Sequence, residues 1–398
     1  MLQSCNICLN LFQGILMKNQ LAAAIALSLL AGTTFAAPTF YGEIDLSLDY
    51  VAANNNNGVK NRDITDLNSN NSFIGLKGDE KLTDRLSALY QAEFTFYGDE
   101  GQSGSGDVFN PRNILIGLKD EKLGTLKAGK IDTPVKQLSA TVDTFNNYIA
   151  NNGDIHGIMG GETRIDNTLV YETPAFKVGE GKIEAKVLVA TGEGDNKIKA
   201  TKGGYTVAGR GLGDSWSSSI VYSDKTFVAG IGYDKAIPTR FLARGFNNTD
   251  TLGRDVTFAN NVIADADNLR AIGRINLDNG LSLRALYQVS DINRASASPS
   301  EANALVAANI DDAKAWLVGA EYNLPNAKAW TIKGQYSYSD VSFKQVTPEY
   351  EVNQILAGVD YAFSKQVKVY GHAGYLTIEQ GSGKDKQTLI GTGLEYKF

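Results

Sequence analysis

The sequence predicts an all-β fold, a 16-stranded antiparallel barrel that crosses a membrane. Three observations predict it. Apolar and polar side chains alternate with a period of two in one segment after another, the mark of strands with one greasy and one wet face. Short turns and longer polar connections alternate along the chain, so all short turns fall on one rim and all long loops on the other. Hydrophobic content is 43% over 398 residues, yet beyond the N-terminal region no apolar run reaches the roughly 18 residues of a membrane helix. That excludes a helical membrane protein and leaves a barrel of half-polar strands. Forty-one glycines against three methionines fit a chain with many tight turns. The net charge of −6 comes with no basic block, which argues against nucleic-acid binding.

The first segment reads as targeting. Met17-Lys18-Asn19-Gln20 is a short positive region, Leu21 to Gly32 is an apolar core, and Thr34-Phe35-Ala36 places small residues before a cut after Ala36. Residues 17–36 are therefore expected to be a signal peptide. Residues 1–16 carry no charge and both cysteines, Cys5 and Cys8, and are expected to be a spurious extension ahead of a true start at Met17. The barrel then spans 37–398, without a cysteine for a disulfide or a thiolate site.

Strand one, Phe40 to Val51, puts Phe40, Ile44, Leu46, Leu48 and Tyr50 on one face and Glu43, Asp45, Ser47 and Asp49 on the other. Strand two is expected at 71–79. Strand three, Arg85 to Tyr97, turns Leu86, Ala88, Tyr90, Ala92, Phe94 and Phe96 outward. The others are expected at 111–119, 125–131, 164–173, 182–190, 214–222, 226–235, 267–277, 281–291, 312–323, 329–339, 351–362, 367–377 and 386–398. Residues 204–213 also read as extended. Many segments have the nine to eleven or so residues that cross a bilayer when tilted. Short connections include Glu80–Asp84, Asp120–Gly124, Asp278–Gly280 with its Asn-Gly hairpin signal, and Phe363–Gln366. Long ones are expected at 54–70, 98–110, 132–163, 191–213, 236–266, 292–311, 341–350 and 378–385. In outer-membrane barrels the short turns are periplasmic and the long loops extracellular. Sixteen strands enclose water, where about eight would be filled by side chains.

Several stretches resemble Gram-negative general porins, nearest the neisserial-type branch. Phe40-Tyr41-Gly42-Glu43-Ile44-Asp45 is similar to their first strand and Ser72-Phe73-Ile74-Gly75-Leu76-Lys77-Gly78 to their second. Arg112 to Lys119, followed by Leu123 to Pro134, resembles the fourth and fifth, and Arg164, Asn167, Tyr171, Pro174 and Phe176 fall at the spacing of the sixth. The closing Phe398 fits as well. The resemblance implies a water-filled channel for passive diffusion of ions and small hydrophilic solutes. It implies a homotrimer set in outer-membrane lipid and lipopolysaccharide, with no cofactor and no enzymatic role. It implies that the last strand, through Tyr396 and Phe398, is an assembly signal for the barrel-assembly machinery.

The resemblance also implies a third loop, 132–163, folded into the lumen. Its Asp143, Asp154 and Glu162 are candidates for the acidic side of a constriction, and Arg112, Lys127, Lys130 and Arg164 for the basic wall opposite. Each also reads as a solvated charge on a rim. Enterobacterial relatives end this loop in Asp-x-x-Pro-Glu-Phe-Gly-Gly-Asp. Here Asp154 and the pair Gly160-Gly161 match, but Ile158 stands in place of the middle carboxylate. A less acidic eyelet is expected. Arg270, Arg274 and Arg284 share the inward parity on adjacent strands, either as an anion foothold or, in the favoured reading, braced by carboxylates such as Glu321 or Asp360.

Three other functions are compatible with a barrel. A substrate-selective uptake channel needs an inward aromatic ladder or a continuous basic track, and most strand aromatics here have outward parity. An adhesin would use the long loops, in which no binding motif stands out. A hydrolase of the outer-membrane kind would carry a Ser/His or Asp/His pair near the rim; the histidines are His156 and His372, and no local motif supports such a pair. The Asn- and Asp-rich loop 54–66 is read as solvated, with no metal site expected.

Overall fold

A computed structural model describes residues 37–55, 60–101, 106–147, 155–241, 262–344, 347–381 and 383–398. The expected signal peptide, both cysteines and Asp154 lie outside the described residues. Twenty β segments are present. They run β1 (Thr39–Asn55), β2 (Lys60–Ser69), β3 (Phe73–Lys81), β4 (Leu86–Phe96), β5 (Phe109–Asp120), β6 (Gly124–Asp132), β7 (Arg164–Glu172), β8 (Phe176–Val178), β9 (Gly181–Ala190), β10 (Lys199–Thr201) and β11 (Gly204–Thr206). They continue as β12 (Ser215–Ser223), β13 (Phe227–Phe241), β14 (Val262–Asn276), β15 (Leu281–Arg294), β16 (Ile310–Asn323), β17 (Trp330–Phe343), β18 (Tyr350–Ala362), β19 (Val367–Gln380) and β20 (Gly383–Lys397).

These build 16 staves of a closed antiparallel barrel. β2 and β3 make one stave, both pairing with β1. β7 and β8 make another, both pairing with β9. β10 and β11 stand apart as a small hairpin in the fourth long loop. The barrel closes where β1 pairs with β20, from Glu43 opposite Lys397 to Asn55 opposite Asp385. Among the described residues no helix is long and apolar enough to cross a membrane.

The period of two decides which atoms meet lipid. Phe40, Leu48, Ile116, Leu126, Ile231, Val318, Ile355 and Ile390 are exposed on the outer face of the barrel. Inward neighbours such as Ser47 and Asp49 beside Leu48, Thr125 beside Leu126 and Gln354 beside Ile355 are polar and buried, whereas Leu317, Leu356 and Leu389 are apolar and pack in buried clusters. Across the seam Asn70 Nδ2 donates to Ser47 Oγ at 2.8 Å and to the Tyr370 hydroxyl oxygen at 2.9 Å, Tyr370 donates to Asp45, and His372 Nε2 sits 3.2 Å from Asp49. Buried polar groups this well matched fix the register of the closing strands.

Three expectations change. Most of the connection expected at 54–70 is strand, since β1 runs to Asn55 and Lys60–Ser69 form β2 against it. The connection expected at 378–385 is a tight reversal, since β19 runs to Gln380 and β20 starts at Gly383. Cross-strand pairs such as Glu379–Lys384 continue the ladder into residues whose polarity reads as loop. Likewise β13 extends to Phe241, taking Arg240 out of the expected 236–266 loop and onto a stave.

Candidate constriction site

The third long loop leaves β6 at Asp132 and returns to β7 at Arg164. Thr133 caps a short helix, α1 (Pro134–Ser139), its Oγ1 accepting from Lys136 N at 3.1 Å, and Pro134 takes the first helical position. Val135, Leu138, Val142, Phe145, Ile155 and Met159 are all buried. Leu138, Val142, Ile155 and Met159 pack on Ile272, Leu286, Ala315 and Leu317 of the inner wall. Phe145 packs with Val51, Leu356, Tyr370 and Leu389 across the lumen. A buried aliphatic or aromatic side chain is worth about 1.5–3 kcal/mol, so this apolar underside holds the loop inside the barrel rather than out in solvent.

Polar anchors complete the attachment. Arg270, fully buried, donates from Nε to Gln288 Oε1 at 2.7 Å, from Nη1 to the Val135 carbonyl at 3.1 Å and from Nη2 to the Gly160 carbonyl at 2.8 Å, and pairs with Glu162. Gly161 follows with φ +83, and a Cβ there would lie 3.0 Å from Arg270 Nη2, so the Gly-Gly pair lets the loop close on the guanidinium. Asp143 accepts from Gln335 Nε2 at 2.9 Å and from the backbone N–H groups of Phe145 and Ile155, both at 3.2 Å. It thereby ties the outgoing limb of the loop to the returning one, and burial pushes its carboxyl up to about 6. Arg274 donates to the Thr141 carbonyl at 3.3 Å, and Ser339 to the Ile158 carbonyl at 2.6 Å.

The candidate acids are therefore placed differently from a row of lumen carboxylates. Asp143 and Glu162 are buried and engaged as loop fastenings, and Asp154 lies outside the described residues. The candidate bases divide. Lys127 pairs with Glu172 at 2.7 Å, toward the short-turn end of its stave. Lys130 pairs with Asp166 at 2.6 Å. Arg164 shares Asp132 with Lys136, at 3.1 and 2.7 Å. Arg112 lies 4.6 Å over the Phe73 ring and 3.9 Å from Glu93. Of the second cluster, Arg284 pairs with Glu321 as a brace, whereas Arg270 and Arg274 grip the third loop.

Between the loop and the β4–β7 wall remains a cavity of about 750 Å³. Arg112, Lys136, Arg164 and Arg240 line it, with Asp99, Asp132 and Glu162 as its acids. Arg240 and the partners Gln288 and Gln335 escaped the sequence reading. So did the inward apolar patch, although Ile272 between Arg270 and Arg274, and Leu286 between Arg284 and Gln288, carry inward parity openly.

His372 and Asp49 have fully buried side chains, and Ser47 Oγ donates to Asp49 Oδ2 at 2.5 Å rather than to the imidazole. That is not the serine–imidazole contact of a nucleophilic triad.

Residues 22–381 match the family model described as Gram-negative porin. The chain belongs to that family. The major outer membrane protein P.IB of Neisseria sicca is 25% identical over 393 residues, covering 96% of this chain and 100% of that one. An outer membrane porin protein of Bordetella pertussis is 29% identical over 175 residues, 40% of this chain and 46% of that one. Among solved structures, the anion-selective porin from Comamonas acidovorans superposes with a TM-score of 0.63 at 18% identity, over 91% of this chain and 99% of that one. The trimer form of OmpT, an outer membrane protein of Vibrio cholerae, gives 0.57 at 15%, over 91% and 99%. This porin is thus a multi-pass β-barrel of the outer membrane, a channel for passive diffusion of solutes.

Proposed function

We propose that this porin passes ions and small hydrophilic solutes without a dedicated substrate, works as a homotrimer among outer-membrane lipid and lipopolysaccharide, and prefers anions. One observation carries the charge preference. The two described loop carboxylates are drawn into the loop's own fastenings, Glu162 by Arg270 and Asp143 by Gln335 and backbone donors, while Arg112, Lys136, Arg164 and Arg240 line the remaining cavity. Four cations there face Asp99 and Asp132, with Glu162 matched by Arg270 and Arg112 3.9 Å from Glu93, which leaves a small positive excess. The anion selectivity of the Comamonas relative and the trimer form of the Vibrio relative support the reading. Against a sugar-selective channel, the cavity lining has only Tyr97 and Tyr205 as aromatics among the described residues.

Planar-bilayer recording of the purified protein under a salt gradient tests this. Stepwise conductance with a reversal potential on the anion side is expected. Reversal on the cation side would overturn the charge reading, and block by micromolar amounts of one sugar would overturn the lack of a dedicated substrate.

A further inference from the structure

The fourth long loop does not stand clear of the mouth. Ile198, Tyr205, Val207 and Ala208 are buried in one apolar cluster with Ile131, Ile165, Leu188 and Ile237 of the inner wall. Tyr205 forms a parallel bridge to Ile165, so the hairpin β10–β11 continues the wall's hydrogen bonding into the lumen. The tip reaches further. Gly203 has φ +69, and a Cβ on it would sit 2.0 Å from the Pro111 carbonyl oxygen, so the turn lies flat on β5. Lys202 pairs with Asp107 in front of β5. The Ile198 N–H donates to the Ala297 carbonyl at 2.8 Å and Arg294 Nη2 to the Ala208 carbonyl at 3.1 Å, which dock the base of the loop on its neighbour.

Two candidate wall cations lie beneath this hairpin. Lys130 Nζ donates to the Lys202 carbonyl at 2.7 Å and to Thr201 Oγ1 at 3.1 Å, and Arg164 Nη1 donates to the Gly203 carbonyl at 3.2 Å. Their side chains are only 12% and 9% exposed. Ala200, Thr201, Gly203, Gly204 and Tyr205 line the cavity in place of Lys130, while Arg164 still reaches it in part. The third loop meanwhile rests on the wall from β12 round to β20 and β1.

We propose that the β10–β11 hairpin is the second jaw of the constriction: it covers Lys130 and most of Arg164, and so sets both the width of the passage and how much of the wall's positive charge a solute meets. The inference rests on the channel reading. The 750 Å³ cavity is what the two jaws leave between them.

The barrel's lack of cysteine allows a direct test. Lys130→Cys is made in two backgrounds, the native loop and a loop with residues 199–206 replaced by two glycines. Each is exposed to a cationic methanethiosulfonate during bilayer recording. Slow modification is expected with the hairpin in place and fast modification without it; in channels that keep Lys130, the shortened loop should also raise the conductance and move the reversal potential further to the anion side. Gly203→Val, which forces the tip off Pro111, should move all three readouts the same way and covers the case in which the shortened loop does not assemble. Equal modification rates, or unchanged conductance in channels that still open, would overturn the proposal. Absence of steps from the wild-type protein would instead count against the channel itself.

Discussion

Arg270→Ala is the most informative single change. The guanidinium is fully buried and serves four acceptors: Gln288, the carbonyls of Val135 and Gly160, and the Glu162 carboxylate. Truncation leaves Glu162 buried without its counter-charge, a situation that costs about 3–5 kcal/mol. The barrel staves keep their own ladders, so the cost falls on the equilibrium between docked and undocked third loop. At about 1.4 kcal/mol per decade the undocked population rises by about two to nearly four orders of magnitude. Hydrogen exchange by mass spectrometry reads this as lost protection in peptides spanning 133–145, with β18 as the internal control. Single-channel records should gain open-state noise. Arg270→Met combined with Glu162→Leu should restore much of the protection, because no unpaired charge remains. Native protection of 133–145 in Arg270→Ala would refute the argument that this pair fastens the loop.

Two further predictions concern the other fastening and the seam. The Asp143 carboxyl is pushed up to about 6 by burial, above the roughly 3.9 of an unfolded aspartate. The native state then binds the proton more tightly, so docking strengthens as pH falls from about 7 to about 4, by at most about 3 kcal/mol, and is flat above. Asp143→Asn should remove that pH dependence from loop protection after correction for intrinsic exchange, and identical profiles would count against it. Removing Phe398 deletes its paired hydrogen bonds with Gly42, at 3.0 and 3.1 Å, and its ring contact with Phe40. The yield of assembled protein on gels should drop while the conductance of what assembles stays constant, and a changed conductance would argue for a role in the pore.

The barrel was legible because its signal is local. Parity along Phe40 to Val51 or Arg85 to Tyr97 needs no knowledge of the partner strand. The site was less legible because its roles depend on which groups meet. Glu162 and Arg270 are 108 positions apart, and Asp143 and Gln335 are 192 apart, so neither pairing leaves a trace in local pattern. Conversely, Ile272 and Leu286 broke the polar rule of the inner face in plain view and marked where the third loop rests. The Tyr205–Gly209 stretch read as extended and belongs partly to β11, but nothing in its residues says that the segment turns inward.

The pairing of β1 with β20 joins residues about 350 positions apart. For an unstructured chain the closure entropy grows as (3/2)RT ln n, roughly 5 kcal/mol at this length before any constant. The first stave keeps one bare edge until the last stave reaches it. Until that neighbour arrives, the sheet carries two open edges rich in unpaired backbone groups, each a template for stray pairing. Closure is therefore a single late event, and the time spent before it sets how much chain is lost to aggregation or proteolysis. Variants along this join should reveal themselves as a kinetic defect in biogenesis even where the finished pore is normal.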